Sequence, residues 1–295
     1  MKTSFYLNKT IIITGSSRGL GKVVAYQVLQ SGGNVILHGR GTEDALDDYF
    51  KDQIAKGKAF YVSGAIDQME TAQQLVSTAI ERFGRLDVLI NNAGISNKGA
   101  FLESAISVVN QVIQTNLMAV LQLTHLALPH IVQSKGSILF ISSLAAFVGL
   151  PGYMPYSVSK MALRAVSESL NIELKRQGIH IGIIYFGFVE NDDEKYTLNP
   201  SGHKEKVPPR NKLITFTKEE AGFCIEKVLR KRQKRKTPGI TGKLFYCLSN
   251  YASFLFFKML SRQYEKQQAN CSIWITLPPV FSKLVFVLAT IKELK

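Results

Sequence analysis

The chain has 295 residues, of which 46% are hydrophobic and 20% charged. That composition excludes wholesale disorder, a collagen-like repeat and a disulfide-dense small fold, and leaves room for one large α/β domain with an extension or two small domains. The formal charge of +14 calls for an acidic partner: nucleic acid, an anionic membrane or a phosphorylated cofactor.

The charge is concentrated at one end. Residues 226–295 hold 14 Lys or Arg against 3 Asp or Glu, whereas residues 1–225 hold 22 against 19. The body is nearly neutral and the tail is basic. The three cysteines, Cys224, Cys247 and Cys271, form no C-x-x-C pair, which argues against a disulfide framework or a zinc site and for a reducing compartment. The N-terminal patch Phe5-Tyr6-Leu7 is too short for the core of a signal peptide.

Short β-branched runs at 11–14, 34–37, 59–62, 86–90, 137–141 and 179–185 predict strands buried on both faces. Between them, helices are predicted at 20–31, 43–56, 69–83, 103–132 and 156–176. This alternation predicts an α/β fold: a single Rossmann-type, doubly wound parallel sheet with helices on both faces, and a ligand crevice at the C-terminal ends of the strands. Residues 187–216 read as a long substrate loop or lid. A helix is predicted over 217–232, opened by Thr217 with Glu220 three residues on, a capping-box pattern. Residues 1–242 are thus expected to form the nucleotide-binding domain, and 243–295 a basic, apolar C-terminal helical extension.

Three groups of residues carry chemistry. Thr14-Gly15-Ser16-Ser17-Arg18-Gly19-Leu20-Gly21 lies between the first strand and the first helix, where glycines let a pyrophosphate approach the backbone and rest on the helix N-terminus. Isolated, the G-x3-G-x-G spacing would be only a glycine-rich turn; its strand–turn–helix setting favours a dinucleotide. The second strand ends His38-Gly39-Arg40, without the acid that binds an adenosine ribose in dinucleotide folds. Arg18 and Arg40 suit a 2′-phosphate, so NADP is expected in preference to NAD; the alternative is that Arg40 is a solvated loop charge. Tyr156 and Lys160 are four apart on one helix face, and Ser142-Ser143 and Asn91-Asn92-Ala93-Gly94 end two strands.

Taken together, TGSSRGLG, NNAG, Asn116, Ser143 thirteen residues before Tyr156, and Tyr156-Ser157-Val158-Ser159-Lys160 resemble the short-chain dehydrogenase/reductase family over about residues 8–240. The C-terminal extension resembles that of its lipophilic-substrate, hydroxysteroid-dehydrogenase-like branch. The resemblance implies NAD(P)-linked interconversion of a carbonyl and an alcohol. It implies Tyr156 as catalytic acid/base, Ser143 as the hydroxyl that orients the carbonyl, Lys160 as the ribose-binding residue that lowers the tyrosine pKa, and Asn116 as support for a proton-relay water. Cofactor contacts are implied at Gly15, Ser17, Arg18, Gly19, Leu20, Gly21, Arg40, Asn92, Ala93, Gly94, Tyr156, Lys160, Gly187 and Val189. Elementary electrostatics agrees with these roles. A free tyrosine has a pKa near 10, and an ammonium about 4 Å away at an effective dielectric of about 20 is worth roughly 4 kcal/mol, enough to bring it down by about three units.

The sequence also departs from the family. Where P-G-x-V-x-T is common, it has Phe186-Gly187-Phe188-Val189-Glu190-Asn191, in which the glycine and valine remain and the proline and threonine do not. The aspartate common at the end of the third strand is replaced around Gly64-Ala65, with Asp67 slightly offset. The histidines are scattered, and no metal is expected.

For the basic tail, nucleic-acid binding lacks interleaved aromatics and an accompanying motif. A solvated helix end is the plain alternative. The favoured reading is an interfacial helix pair, Leu244–Leu260 and Ile273–Ile291, beside the polybasic stretch 230–236, on an anionic membrane surface. In the first of these, Leu244, Leu248, Tyr251, Leu255 and Met259 are predicted to form one stripe. The sum is an NADP-dependent reductase of a small lipophilic carbonyl or alcohol, cytoplasmic, peripheral to a membrane and homo-oligomeric. The rivals are a reductase-fold scaffold or cofactor sensor, and a soluble reductase of a small polar carbonyl.

Overall fold

β-branched and apolar runs that cannot remain in water set the centre of the molecule. A computed structural model describes residues 4–192, 195–208 and 215–269. It divides into two compact units, 1–236 and 237–295.

In the first unit, β1 (Thr10–Ile13), β2 (Asn34–Gly39), β3 (Ala59–Ser63), β4 (Val88–Asn91), β5 (Ser137–Ser143) and β6 (His180–Phe186) lie parallel in the order β6-β5-β4-β1-β2-β3. Residues of β1, β2, β4 and β5 pack on both faces, as unalternating apolar strands of a doubly wound sheet should. On one face Ile11 and Ile13 meet α1 (Gly19–Gln30), α2 (Asp48–Ala55) and α7 (Lys218–Arg230) through Val24, Val28, Phe50, Ile225 and Leu229. On the other, Ile12 and Phe140 meet α3 (Met69–Phe83), α5 (Ala119–Gln133) and α6 (Met154–Glu173) through Leu75, Leu123 and Leu163.

The chain winds outward from β1 through β2 to β3, then returns to β4 on the other side of β1. The strand order therefore reverses between β1 and β4, and the crevice at their C-terminal ends is the default ligand site of such sheets. The expected helices and strands are present, with three informative differences. The helix expected over 43–56 starts late: Leu46 is extended and buried, and Asp47 caps α2 by accepting from the Phe50 amide. The helix expected over 103–132 is α4 (Ile106–Ile113), then a π-helical turn at Gln114–Met118, then α5. By length and composition 106–133 could cross a membrane, yet Val112, Leu123 and Ile131 along it are fully buried.

The third difference concerns loops and tail. The described residues of 187–216 form more than a plain lid. β7 (Phe188–Val189) pairs in parallel with β10 (Thr215–Phe216), and β8 (Tyr196–Leu198) forms an antiparallel hairpin with β9 (Lys204–Lys206). Within the basic run, β11 (Arg235–Lys236) adds a seventh strand beside β6. Part of the polybasic stretch is thus sheet edge, because backbone pairing is indifferent to the side chains that face water. The second unit contains α8 (Gly239–Tyr251) and α9 (Ser253–Ala269). The stripe expected along 244–260 is therefore interrupted at Ala252, whose non-helical backbone ends α8. The segment Ile273–Ile291 lies outside the described residues.

α7 carries the expected capping box: Thr217 Oγ1 accepts from the Glu220 amide at 3.1 Å while the Glu220 carboxylate accepts from the Thr217 amide at 3.0 Å. Thr217→Ala is expected to cost about 1 kcal/mol of stability, read as a lower urea midpoint at unchanged slope.

Candidate active site

Two turns meet at the reversal point and hold each other. The Thr14 hydroxyl accepts from the amides of Asn92 and Ala93, both at 2.9 Å, and the Asn92 side chain donates to Thr14 O at 2.8 Å and Gly15 O at 3.3 Å. The glycines allow this approach. A Cβ at Gly21 would lie 2.3 Å from Gly15 O, and Gly15 itself has φ +65°. The Gly15 amide donates to His38 Nδ1 at 3.0 Å, so that nitrogen carries no proton; burial holds the ring well below the ordinary histidine pKa, at about 4. The expectation for this region named Arg40 and passed over His38 and Thr14, whose roles depend on distances across the sheet.

The N-terminus of α1 fits an anion. No side chain caps it and no acid stands in its first turn, so its backbone N–H groups remain to be matched. Beside it, a Cβ at Gly19 would lie 2.8 Å from Asp192 Oδ2, and the Asp192 carboxylate pairs with Lys218 at 2.6 Å. Arg18 and Arg40 are exposed and both lie against the ring of Tyr196, at 5.5 and 5.8 Å from its centroid. Arg40 donates to the Tyr196 hydroxyl. Burial pushes that phenol up, but the Arg40 hydrogen bond and the charges of Arg40, Lys204 and Arg18 outweigh it and hold the pKa below the ordinary value.

Ser143 ends β5, and α6 follows with Pro155 in its first turn. Four residues from half-buried Tyr156, Lys160 is buried and donates to Ile141 O at 3.0 Å. Its Nζ lies 5.8 Å from the Tyr156 ring centroid. Burial, and then the charge of Lys195, bring the Lys160 pKa down to about 8. Asn116 is fully buried in the π-helical turn. Its amide accepts from Ile95 N and donates to Ile95 O, both at 2.8 Å, and donates to Ser159 Oγ at 3.2 Å; Ser159 in turn donates to Tyr156 O at 2.7 Å. The Asn116 side chain is therefore committed to bracing the turn after β4 and the start of α6. A Cβ on Gly94 would lie 3.1 Å from Asn116 Oδ1 and 3.6 Å from Lys160 Nζ. The two turns, Asn116, Lys160 and Tyr156 thus form one contiguous group at the strand ends.

The altered segment after β6 is fixed by strand pairing. Phe188 and Val189 are held by β10, Glu190 N donates to Phe216 O at 2.9 Å, and a Cβ on Gly187 would lie 3.4 Å from Leu144. Among the described residues no cluster of His, Cys, Asp and Glu could hold a metal.

Comparison with known proteins agrees with this architecture. The family model for short chain dehydrogenase matches residues 9–199. An 11-beta-hydroxysteroid dehydrogenase-like protein 4A of Arabidopsis thaliana is 34% identical over 225 residues, which cover 75% of this chain and 72% of that one. A dehydrogenase/reductase SDR family member 7B of Xenopus laevis is 27% identical over 277 residues, covering 90% and 85%. The crystal structure of a short-chain dehydrogenase from Streptomyces avermitilis overlays with a TM-score of 0.71 at 24% identity, over 90% of this chain and 98% of that one, a likeness of fold. The chain belongs to the short-chain dehydrogenase/reductase family, in its hydroxysteroid-dehydrogenase-like branch. It is an NAD(P)-dependent oxidoreductase acting on a carbonyl/alcohol pair.

The buried Lys160 has a stability consequence. Its folded pKa of about 8 lies below the unfolded value of 10.5, so the unfolded chain binds more protons between those pH values and stability rises with pH there. Lys160→Met is expected to be more stable than the wild type at pH 7 by about 1–3 kcal/mol, with the gain shrinking as pH passes from about 8 to about 10.5, measured by denaturant titration across that range.

Proposed function

We propose that the protein is an NADP-dependent reductase of a lipophilic carbonyl, working through Ser143, Tyr156, Lys160 and Asn116. The observation that carries the proposal is the packing of buried Lys160 and half-buried Tyr156 on one face of α6, against the cofactor turns and Asn116. When bound, the nicotinamide supplies the hydride. The chain does the rest: the Ser143 hydroxyl orients the carbonyl oxygen, and Tyr156 donates its phenolic proton to that oxygen as charge develops. Lys160 holds positive charge beside Tyr156 and so lowers the cost of the phenolate left behind. Asn116 positions α6 through Ser159 and the Tyr156 carbonyl.

Preference for NADP rests on Arg18 and Arg40 together, with no acid at the end of β2. A lipophilic substrate is supported by the apolar side chains around Tyr156: Ile95, Val108, Val112 and Leu198. The name of the Arabidopsis thaliana relative points the same way. Exposed Ile106 and Met118 on one helix and Val158, Met161 and Ile172 on α6 support self-association into a homo-oligomer. Turnover of a carbonyl panel with NADPH tests the reading. Tyr156→Phe is expected to lose about a hundredfold or more in kcat while binding NADPH with wild-type affinity. Unchanged turnover in that variant sinks the assignment.

The extension, taken from residue 243, is proposed to rest on an anionic membrane surface. Tyr251, Phe254, Leu255 and Phe257 are exposed on α8 and α9, and Lys243, Lys258 and Arg262 accompany them, whereas Phe245 and Phe256 pack edge to face at 4.8 Å. The full chain should float with vesicles rich in anionic lipid at low salt and be released by high salt or by the double change Phe254→Asp and Leu255→Asp. A chain that stays behind without detergent at low salt refutes the attachment.

A further inference from the structure

Three successive amides of the glycine turn end on one residue of the neighbouring strand. The Gly15 amide donates to Nδ1 of the His38 ring at 3.0 Å, and the Ser16 and Ser17 amides donate to the His38 carbonyl at 2.8 and 3.3 Å. The His38 amide returns a bond to Ser16 Oγ at 2.9 Å. His38 and Ser16 are both buried. The bonds to the carbonyl need a strand beside the turn, whatever side chain it carries. The bond to Gly15 needs an acceptor at this one place on this one side chain.

That bond falls where the turn is least able to hold itself. Gly15 has φ +65°, and glycine backbone has the widest choice of conformations, so an unbraced turn would be ordered at the expense of ligand affinity. Its setting matters one turn further on. A Cβ at Gly21 would lie 2.3 Å from Gly15 O, and Asn92 donates to the same oxygen at 3.3 Å. Gly15 is thus fixed at its amide by β2 and at its carbonyl by the turn after β4. Rotation about it would shift that carbonyl against the first turn of α1, whose backbone N–H groups no side chain caps and which suits the cofactor diphosphate. The His38 ring meets the requirement at ordinary pH, because burial keeps it neutral and Nδ1 free of a proton.

We propose that His38 is a positioning residue for the dinucleotide: by accepting from the Gly15 amide, its ring holds the glycine turn, before the cofactor arrives, in the shape that receives the diphosphate. It acts through Gly15 and takes no part in the chemistry. The diphosphate is common to both dinucleotides, so this role rests on NAD(P) binding and not on the preference for NADP. Loss of the ring acceptor weakens NADPH and NADH by the same factor, whereas loss of a contact to the 2′-phosphate weakens NADPH alone.

The test is equilibrium binding of NADPH and of NADH to the full chain, by calorimetry, in the wild type and three variants. His38→Leu keeps a side chain of similar bulk without an acceptor. It is expected to lose about tenfold in affinity for each dinucleotide, with the ratio between them changed by less than about twofold. His38→Asn sets an amide oxygen close to the place of Nδ1 and should bind within about twofold of the wild type. His38→Gln carries the same group one bond further out and should lose as the leucine variant does; if His38→Leu does not fold, the contrast between Asn and Gln decides. Without cofactor, amide exchange over 14–19 should be faster in the Leu and Gln variants than in the wild type and the Asn variant. Melting temperatures are read alongside, because a merely structural role would lower them and leave both affinities intact. A folded Leu or Gln variant that binds both dinucleotides as the wild type does overturns the proposal, as does a loss confined to NADPH or an Asn variant as weak as the others. A wild type that favours NADH overturns the NADP reading and leaves this one standing; a wild type that binds neither overturns both.

Discussion

The site depends on one hydroxyl. Thr14 Oγ1 accepts from two amides of the turn after β4 and donates to Ile90 O at 3.4 Å, which fills the one donor and two acceptor places a hydroxyl has. This bond set fastens the C-terminal ends of β1 and β4 together at the place where the strand order reverses. Every other element of the cleft is registered from that knot. Gly15 is held open by His38, Gly21 lies under the Gly15 carbonyl, and Gly94 is set against Asn116 and Lys160. A sheet pulled apart here would lose the glycine turn and the Tyr156–Lys160 pair at once.

Around that knot the fold accepts local cost. An ammonium in a dry site is expensive, and Lys160 is kept there by one carbonyl, that of Ile141, with the residual penalty visible in its depressed pKa. A histidine kept neutral under the glycine turn is a similar arrangement, because its acceptor nitrogen is available to the Gly15 amide only while unprotonated. Both groups are held at a cost in stability, the balance expected where charge is controlled rather than merely buried.

Much of this was legible in the residues. The strands were readable because runs such as Ile11-Ile12-Ile13 are buried on both faces and need no alternation. α7 was readable because Thr217 and Glu220 announce its start. The order of the glycine turn, Asn-Asn-Ala-Gly, Ser143, Tyr156 and Lys160 specified the family, though no one of them would have done so. What stayed hidden has physical causes. β11 and β9 are built of charged, solvent-facing residues, Arg235-Lys236 and Lys204-Glu205-Lys206, whose pairing is a property of the backbone. Leu46 in extended conformation and the Asp47 cap shorten a helix whose periodicity reads as continuous. The partnerships of Thr14 with Asn92, His38 with Gly15 and Tyr196 with Arg40 join residues far apart in the chain, and local patterns carry no record of them.

The π-helical turn around Asn116 has a consequence for how the molecule can vary. One extra residue in a helical turn rotates everything that follows by about 100° relative to an uninterrupted helix. Before the turn, Val108 and Val112 face the small apolar cluster beside Tyr156; after it, Ala119, Leu123, Ala127 and Ile131 face the sheet. A single rod thus serves two cores that a regular helix of the same length would have to compromise between. A substitution before the turn would reshape the cluster beside Tyr156, while the half after it would keep the register on which the sheet is packed.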